Sequence, residues 1–148
     1  MQKLNFGTYS FRFKNSDNKV LIFDVIRKKF VVLQPEEWVR QHVVHHLLWE
    51  KRFPMGHIQV ERQLMVNGLR KRYDVLVYNP DGSIHLLVEC KAPTTVIDQR
   101  TFDQIARYNL QLKATYLMVT NGLQHYYCEM DYLGEKYQFL RHIPDFSR

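Results

Sequence analysis

The stretch 70–93 reads Arg-Lys-Arg-Tyr-Asp-Val-Leu-Val-Tyr-Asn-Pro-Asp-Gly-Ser-Ile-His-Leu-Leu-Val-Glu-Cys-Lys-Ala-Pro. Residues 73–78 are β-branched, aromatic or aliphatic apart from Asp74, and residues 84–88 form a second apolar run. Between them, Asn79-Pro80-Asp81-Gly82 is turn chemistry: Pro pre-sets one φ and Gly is free to take φ > 0. The spacing therefore predicts two paired strands. Three charged residues, Asp74, Glu89 and Lys91, fall inside or at the ends of strands that otherwise look buried. Charge is rarely buried without a partner or a metal.

Side chains alternate along a strand, so Glu89 and Lys91 share one face and Cys90 points to the other with Val88 and Leu86. Pairing the two runs as a hairpin brings Asp74 near Glu89. Two carboxylates and one ammonium then converge on one spot. A hard divalent cation such as Mg²⁺ is held by one or two carboxylates together with phosphate oxygens and water. A Lys beside it can orient or deprotonate a water and stabilise developing charge. The same pattern also fits a plain salt-bridged cluster in which Lys91 neutralises Glu89 and Asp74, and short motifs alone do not separate the two readings.

The remaining chain is read around this pair. Its 148 residues suit one domain with a real core. A net charge of +6 favours an anionic partner such as nucleic acid without requiring one. Cys90 and Cys128 lie in apolar runs outside any Cys-x-x-Cys pair, which predicts free buried thiols in a reducing compartment. The first residues lack an apolar signal segment, and no apolar run reaches the ~18 residues of a membrane span. These features predict a cytoplasmic protein without membrane contact.

Along the chain, residues 9–14 and 19–25 predict an N-terminal hairpin around the turn 15–18, with residues 31–33 extending onward. Arg27, Lys28 and Lys29 read as a solvated basic turn within reach of phosphate. A helix begins at Pro35, with Glu36 and Glu37 at its positive end and Val39, Val43, Val44, Leu47 and Leu48 as its buried stripe, and stops near Phe53-Pro54. His42, His45 and His46 on it lack zinc-protease spacing and read as surface or satisfied polar residues. A strand over 58–66, the Asn67-Gly68 turn, and the strands 70–78 and 84–91 follow. Thr95-Val-Ile-Asp98 has the form of a helix-start capping box, opening a helix to about Leu112 that buries Phe102, Ile105, Ala106 and Leu112. Its other stripe, Arg100, Gln104, Tyr108 and Gln111, reads as an exposed face. Residues 114–120 form a fully apolar central strand, and 124–130 and 136–143 are closing strands. The order predicts an α/β fold with a mixed sheet flanked by helices.

The α-β-β-β-α-β core carrying Asp74 and Glu89-Cys90-Lys91 resembles the PD-(D/E)xK nuclease superfamily. More narrowly, the chain resembles the N-terminal nuclease domain of type I restriction enzyme R subunits. The stretches carrying that resemblance are 22–30, Pro35-Glu-Glu-Trp-Val-Arg-Gln41, Arg72-Tyr-Asp74, Glu89-Cys-Lys-Ala-Pro93, Asp103-Gln-Ile-Ala-Arg-Tyr108 and Val119-Thr-Asn-Gly122. The resemblance implies a restriction-endonuclease-like core, to which the element order adds N-terminal and C-terminal β-hairpins. It implies one nuclease-like domain over 1–148, with 1–33 as the hairpin extension and 34–143 as core and closing strands.

By that resemblance, Asp74 and Glu89 ligate Mg²⁺ or Mn²⁺, and the main-chain carbonyl of Cys90 adds a ligand. Lys91 activates water, and Gln104 and Tyr108 line the site as a Gln-x-x-x-Tyr element. Glu37 is a further metal-ligand candidate, with an equally good reading as a helix-dipole partner, and Glu61 ranks below it. The implied chemistry is hydrolysis of DNA phosphodiesters, with Arg70, Lys71, Arg72, Arg100 and Arg107 as phosphate contacts. The chain carries no Gly-x-x-x-x-Gly-Lys-Ser/Thr loop. It therefore reads as a stand-alone relative or as a nuclease domain whose motor or specificity subunit is separate, with homodimerisation open. The competing expectation is a non-catalytic nucleic-acid-binding or interaction module that keeps the fold.

Overall fold

The computed structural model describes residues 1–146. Its elements in chain order are β1 (Phe13–Ser16), β2 (Lys19–Asp24), β3 (Lys29–Val32), α1 (Pro35–His45), β4 (Ile58–Val66), β5 (Leu69–Tyr78), β6 (Ile84–Cys90), α2 (Gln99–Tyr108), β7 (Tyr116–Thr120), β8 (His125–Asp131) and β9 (Lys136–Leu140). They form two sheets, β1-β2-β3 and β4-β5-β6-β7-β8-β9. The expected α/β fold is present. Every pairing in the large sheet is antiparallel except β6 with β7, which are parallel and joined through α2. A parallel pair needs such a crossover, and a helix supplies it.

The two faces of the large sheet have different cores. Under α1, Val39, Val43, Val44 and Leu47 meet Val75, Val77, Leu86, Val88, Cys90 and Met118. Under α2, Phe102 and Ala106 meet Tyr73, Leu76, Leu87, Leu117, Val119 and Cys128. Each fully buried aliphatic side chain contributes about 1.5–3 kcal/mol before entropy is counted. Burial on both faces explains why β6 and β7 read as continuous apolar runs rather than alternating ones.

Several local expectations are corrected. The N-terminal addition is a three-stranded sheet, because Lys29–Val32 pairs with β2 in addition to the hairpin. Arg27 is not a solvated turn residue. Its Nε lies 2.6 Å from Asp24 and its Nη2 2.8 Å from Glu37, which ties the small sheet to α1; Lys28 and Lys29 are exposed. The helix α1 continues as a π-type turn over His46–Glu50. The second helix starts at Gln99, not near Thr95: Asp98 is the cap, accepting a hydrogen bond from Thr101 N at 2.8 Å, while Thr95 N closes a turn onto Ala92 O. An Asp directly before the first helical residue outcompeted the looser Thr-x-x-Asp pattern. His42 and His45 are buried; His42 is satisfied, its Nδ1 bonding Trp38 O, but among the described residues neither ring nitrogen of His45 has a partner. Both cysteines are free and buried.

Candidate active site

The hairpin register sets the site. Val75 pairs with Val88, and one step further Asp74 faces Glu89 across the ladder. The Asp74 carboxylate reaches back to the β6 backbone, with Oδ2 accepting from Cys90 N at 2.8 Å. Around Asp74 the alternation of β5 breaks. Tyr73 joins the core under α2, whereas Val75 and Val77 join the core under α1. The neighbouring strand breaks at the matching point, because Glu61 has φ = 55°. A non-glycine residue in that region is strained, and such positions concentrate where a side chain must be re-aimed. The two kinks turn the carboxylates of Asp74 and Glu61 toward one guanidinium.

That guanidinium belongs to Arg40 of α1, which is 4% exposed. Its Nη2 lies 2.7 Å from Asp74 Oδ1 and 2.7 Å from Glu61 Oε1, and its Nη1 lies 2.7 Å from Glu37 Oε1. Glu36 Oε1 is 3.6 Å away. Burial opposes the charge of Arg40, but Glu37 and Asp74 outweigh it and hold the side chain protonated beyond even its ordinary range. Sequence reasoning missed Arg40. The available signal was a charged residue three and four positions before Val43 and Val44, inside the apolar stripe, one turn after Glu36.

The carboxylates of this cluster crowd one another. Burial raises Glu89, and the Asp74 charge and a hydrogen bond to Asp74 raise it further, to about 8; Lys91 pulls the other way. Glu36 is also raised, first by burial and then by Asp74. Lys91 is fixed by its backbone, whose N–H donates to Thr120 O at 2.8 Å. The following loop is held by Asn121, whose Nδ2 donates to Thr95 O and whose Oδ1 accepts from the backbone N–H groups of Leu123 and Gln124. The Thr120-Asn121-Gly122 stretch thus anchors the chain on either side of Lys91.

The other candidates fall in three places. Glu37 is spent within the protein: Oε1 accepts from Arg27 and Arg40, and Oε2 from Gln41. Glu61 and Glu36 approach the Arg40–Asp74 cluster instead. Arg70 and Arg72 are exposed on β5, with Arg72 Nε 3.3 Å from Glu61 Oε2, and Lys71 Nζ lies 4.0 Å over the Tyr108 ring. Gln104 and Tyr108 lie on the exposed face of α2. Tyr108 stands close enough to Tyr73 to raise its phenol, after burial; among the described residues no hydrogen bond links Gln104 to Asp74, Glu89 or Lys91. Arg100 is exposed near the start of α2. Arg107 lines a separate groove of about 730 Å³ between α2 and β8–β9, with Asp103, Met130 and Tyr132.

The donor chemistry fits a divalent cation. Asp74 and Glu89 are neighbouring carboxyl groups, with Glu89 raised first by burial and then by the Asp74 charge, and among the described residues no hydrogen-bond donor reaches the buried Glu61 Oε2. The 3.3 Å approach of Arg72 Nε to that oxygen is an electrostatic contact rather than a directed hydrogen bond. Among the described residues, no three His, Cys, Asp or Glu side chains already stand in ligating positions.

The sequence model of the family described as the type I restriction enzyme R protein N terminus matches residues 35–144. The chain belongs to this family. The match begins at α1 and ends beyond β9, leaving the β1–β3 sheet outside it. A solved fragment assigned to the HsdR subunit of a type I restriction enzyme from Vibrio vulnificus YJ016 is similar, with a TM-score of 0.46 and 24% sequence identity over 68% of this chain and 22% of that chain. The chain thus spans about a fifth of the length of that relative. Comparison with curated proteins gives no match. Among the described residues, no helix is long and apolar enough to cross a membrane.

Proposed function

We propose that this type I R-protein N-terminal domain is a metal-dependent DNA endonuclease whose centre is Asp74, Glu89 and Lys91. What carries the reading is one arrangement. Two carboxyl groups meet at the end of β6, Asp74 bonded to the Cys90 amide and Glu89 raised by burial and by the Asp74 charge, with Lys91 near enough to oppose that rise. Asp74, Glu89 and the main-chain carbonyl of Cys90 hold Mg²⁺ or Mn²⁺, with Glu61 a better placed additional carboxylate than Glu37. The cation, when bound, polarises a phosphoryl oxygen and lowers the pKa of water.

Lys91 orients the attacking water and stabilises the negative charge that develops on the phosphoryl group. Arg40 holds Asp74 in position through the 2.7 Å contact of its Nη2 with Oδ1. Attack is in line with the leaving 3′ oxygen. Gln104 and Tyr108 flank the DNA from α2, and Arg70, Lys71, Arg72 and Arg100 contact phosphates, giving salt-sensitive affinity. DNA and the remaining subunits of a restriction–modification assembly are the partners this reading implies.

The test is nicking of supercoiled plasmid by the purified protein with Mg²⁺ or Mn²⁺, beside an EDTA control and Lys91→Ala. Metal-dependent nicking that disappears in the folded variant supports the proposal. Equal nicking by both proteins removes Lys91 from the site. The second reading, a non-catalytic binding module, draws on Arg40, whose guanidinium already bridges Asp74 and Glu61. It predicts DNA retention without divalent ions and no cleavage by either protein.

A further inference from the structure

Beyond the candidate site, the β4–β5 hairpin overhangs the sheet. The β5–β6 ladder ends at Val75–Val88, short of the first residues of β5. Residues 69–72 therefore pair only with β4, through Gln63–Arg72, Leu64–Lys71, Met65–Arg70 and Val66–Leu69. This leaves a two-stranded ribbon four residues long on each strand, roughly 13 Å at ~3.3 Å per residue. Its tip is closed by Asn67 and Gly68, both at positive φ (51° and 77°), the geometry of the turn that matches strand twist.

The two faces of the ribbon differ. One side rests on α2, where Lys71 stacks on Tyr108 and Leu64 packs toward the α2 core. The other side is free. Gln63, Met65, Arg70 and Arg72 are all exposed there, Met65 by 64%; Leu69 at the tip, on the Lys71 side, is 64% exposed too. Residues 62–72 hold four basic side chains and no acidic one. A bare apolar tip on a cationic ribbon is poorly suited to water alone, and a two-stranded ribbon is of a size to enter the major groove of duplex DNA. The ribbon grows out of the strand that carries Asp74, and Arg72 touches Glu61 beside the site.

We infer that the 62–72 ribbon is a DNA arm. Its free face seats in the major groove next to the scissile phosphate, with Arg70 and Arg72 on backbone phosphates and Met65 against the groove wall. The inference rests on the nuclease reading for its substrate, but it concerns binding, so it is tested without cleavage. The measurement is duplex-DNA affinity against salt concentration, in EDTA, for the parent protein, Arg70→Ala/Arg72→Ala, Met65→Ser and the charge-matched control Lys19→Ala/Lys136→Ala. The control residues are exposed on distant strands.

The arm predicts that the slope of log affinity against log salt falls by about 1.8 in the Arg70→Ala/Arg72→Ala protein, about 0.9 per lost phosphate contact. The control slope stays unchanged. Met65→Ser weakens binding several-fold without altering the slope. Methyl green, a major-groove ligand, competes with the parent protein, whereas netropsin does not. Equal slope losses in arm and control proteins, or an unchanged slope in the arm variant, overturn the arm and leave the nuclease reading standing if Mn²⁺-dependent nicking persists. A parent protein that binds no DNA overturns the arm, and a parent that nicks none refutes the reading beneath it.

Discussion

Replacing Glu89 by Gln tests the electrostatics of the site directly. The folded protein raises this carboxyl from its ordinary 4.5 to about 8, through burial first and the Asp74 charge second. Between those values the folded, metal-free protein holds a proton that the unfolded chain has released. The stability tied to that proton is fully present below about pH 4.5, erodes as pH rises, and is lost above about pH 8. Inside the window the slope is at most about 1.4 kcal/mol per pH unit, so going from pH 5 to pH 7 costs on the order of 2–3 kcal/mol from this group. For a domain of this size that is roughly 5–10 °C in Tm.

Gln is close in shape to the protonated acid and does not titrate, so the Glu89→Gln protein lacks this slope and is the more stable of the two at pH 8. The assay is urea unfolding of both proteins in EDTA from pH 5 to pH 8. The buried histidines titrate in both proteins, and the difference between the two curves cancels them. Mn²⁺ at pH 8 stabilises the parent, by about 2.7 kcal/mol at a hundredfold excess over Kd, and leaves the variant nearly unmoved. Parallel pH curves for parent and variant refute the argument.

Three further outcomes follow from other parts of the structure. Arg40→Met leaves Asp74, Glu61 and Glu37 without their shared cation, and loses about 3–5 kcal/mol by chemical denaturation at pH 7; a loss under about 1 kcal/mol shows that the cluster does not depend on it. Gly122→Ala puts a side chain on a backbone with φ = 87° and its Cβ 2.9 Å from Leu4 Cδ2, so it is expected to lose at least about 1 kcal/mol in thermal unfolding, and an unchanged Tm contradicts the tight fit. Burial, and after it His42, holds His45 below its ordinary value. The stability of its neutral form is present above about pH 6.5 and lost as pH falls through the depressed folded value, so His45→Phe loses less stability than the parent between pH 7 and pH 5; equal losses by urea titration count against this.

How far the sequence led depends on which interactions are periodic. The nearness of Asp74 and Glu89 was legible because two apolar runs joined by the Asn79–Gly82 turn must pair as a hairpin, whatever the bulge at Val77/Tyr78 does to the register, and the Val39–Leu48 stripe because helical spacing shows it. Arg40 was not, since nothing local tells a buried guanidinium from one on a helix surface; its partners come from β4 and β5, far along the chain. The same blindness hid Arg27, whose partners are Asp24 nearby but Glu37 on the next element. Glu37 and Glu36 are adjacent, and only the phase of α1 decides that Glu37 turns into the Arg27–Gln41 network while Glu36 approaches Asp74. The break in alternation at Glu61 and Asp74 is also tertiary in origin, because a regular strand would have kept Tyr73 and Val75 on one face.

Arg40 and a divalent cation need not compete for the same carboxylates. Glu36, Glu61, Asp74 and Glu89 bring four carboxyl groups toward three cations, Arg40, Arg72 and Lys91, and Arg40 is shared with Glu37 as well. Unit charges 4 Å apart near a protein surface interact by about 4 kcal/mol, so such an excess is not carried unrelieved. In the metal-free protein the relief is the proton on Glu89. Arg40 contacts Asp74 through Oδ1, while Oδ2 sits on the Cys90 amide at the Glu89 side. A cation ligated by Glu89 therefore replaces the proton and leaves Arg40 in place. At pH 7, below the raised value of Glu89, Mn²⁺ binding should then release close to one proton, read by calorimetry in buffers of different ionisation enthalpy. At pH 9 it should release almost none. Binding that releases no proton at either pH would mean that the cation does not use Glu89, and the assignment of the site would have to move to Glu61 and Glu36.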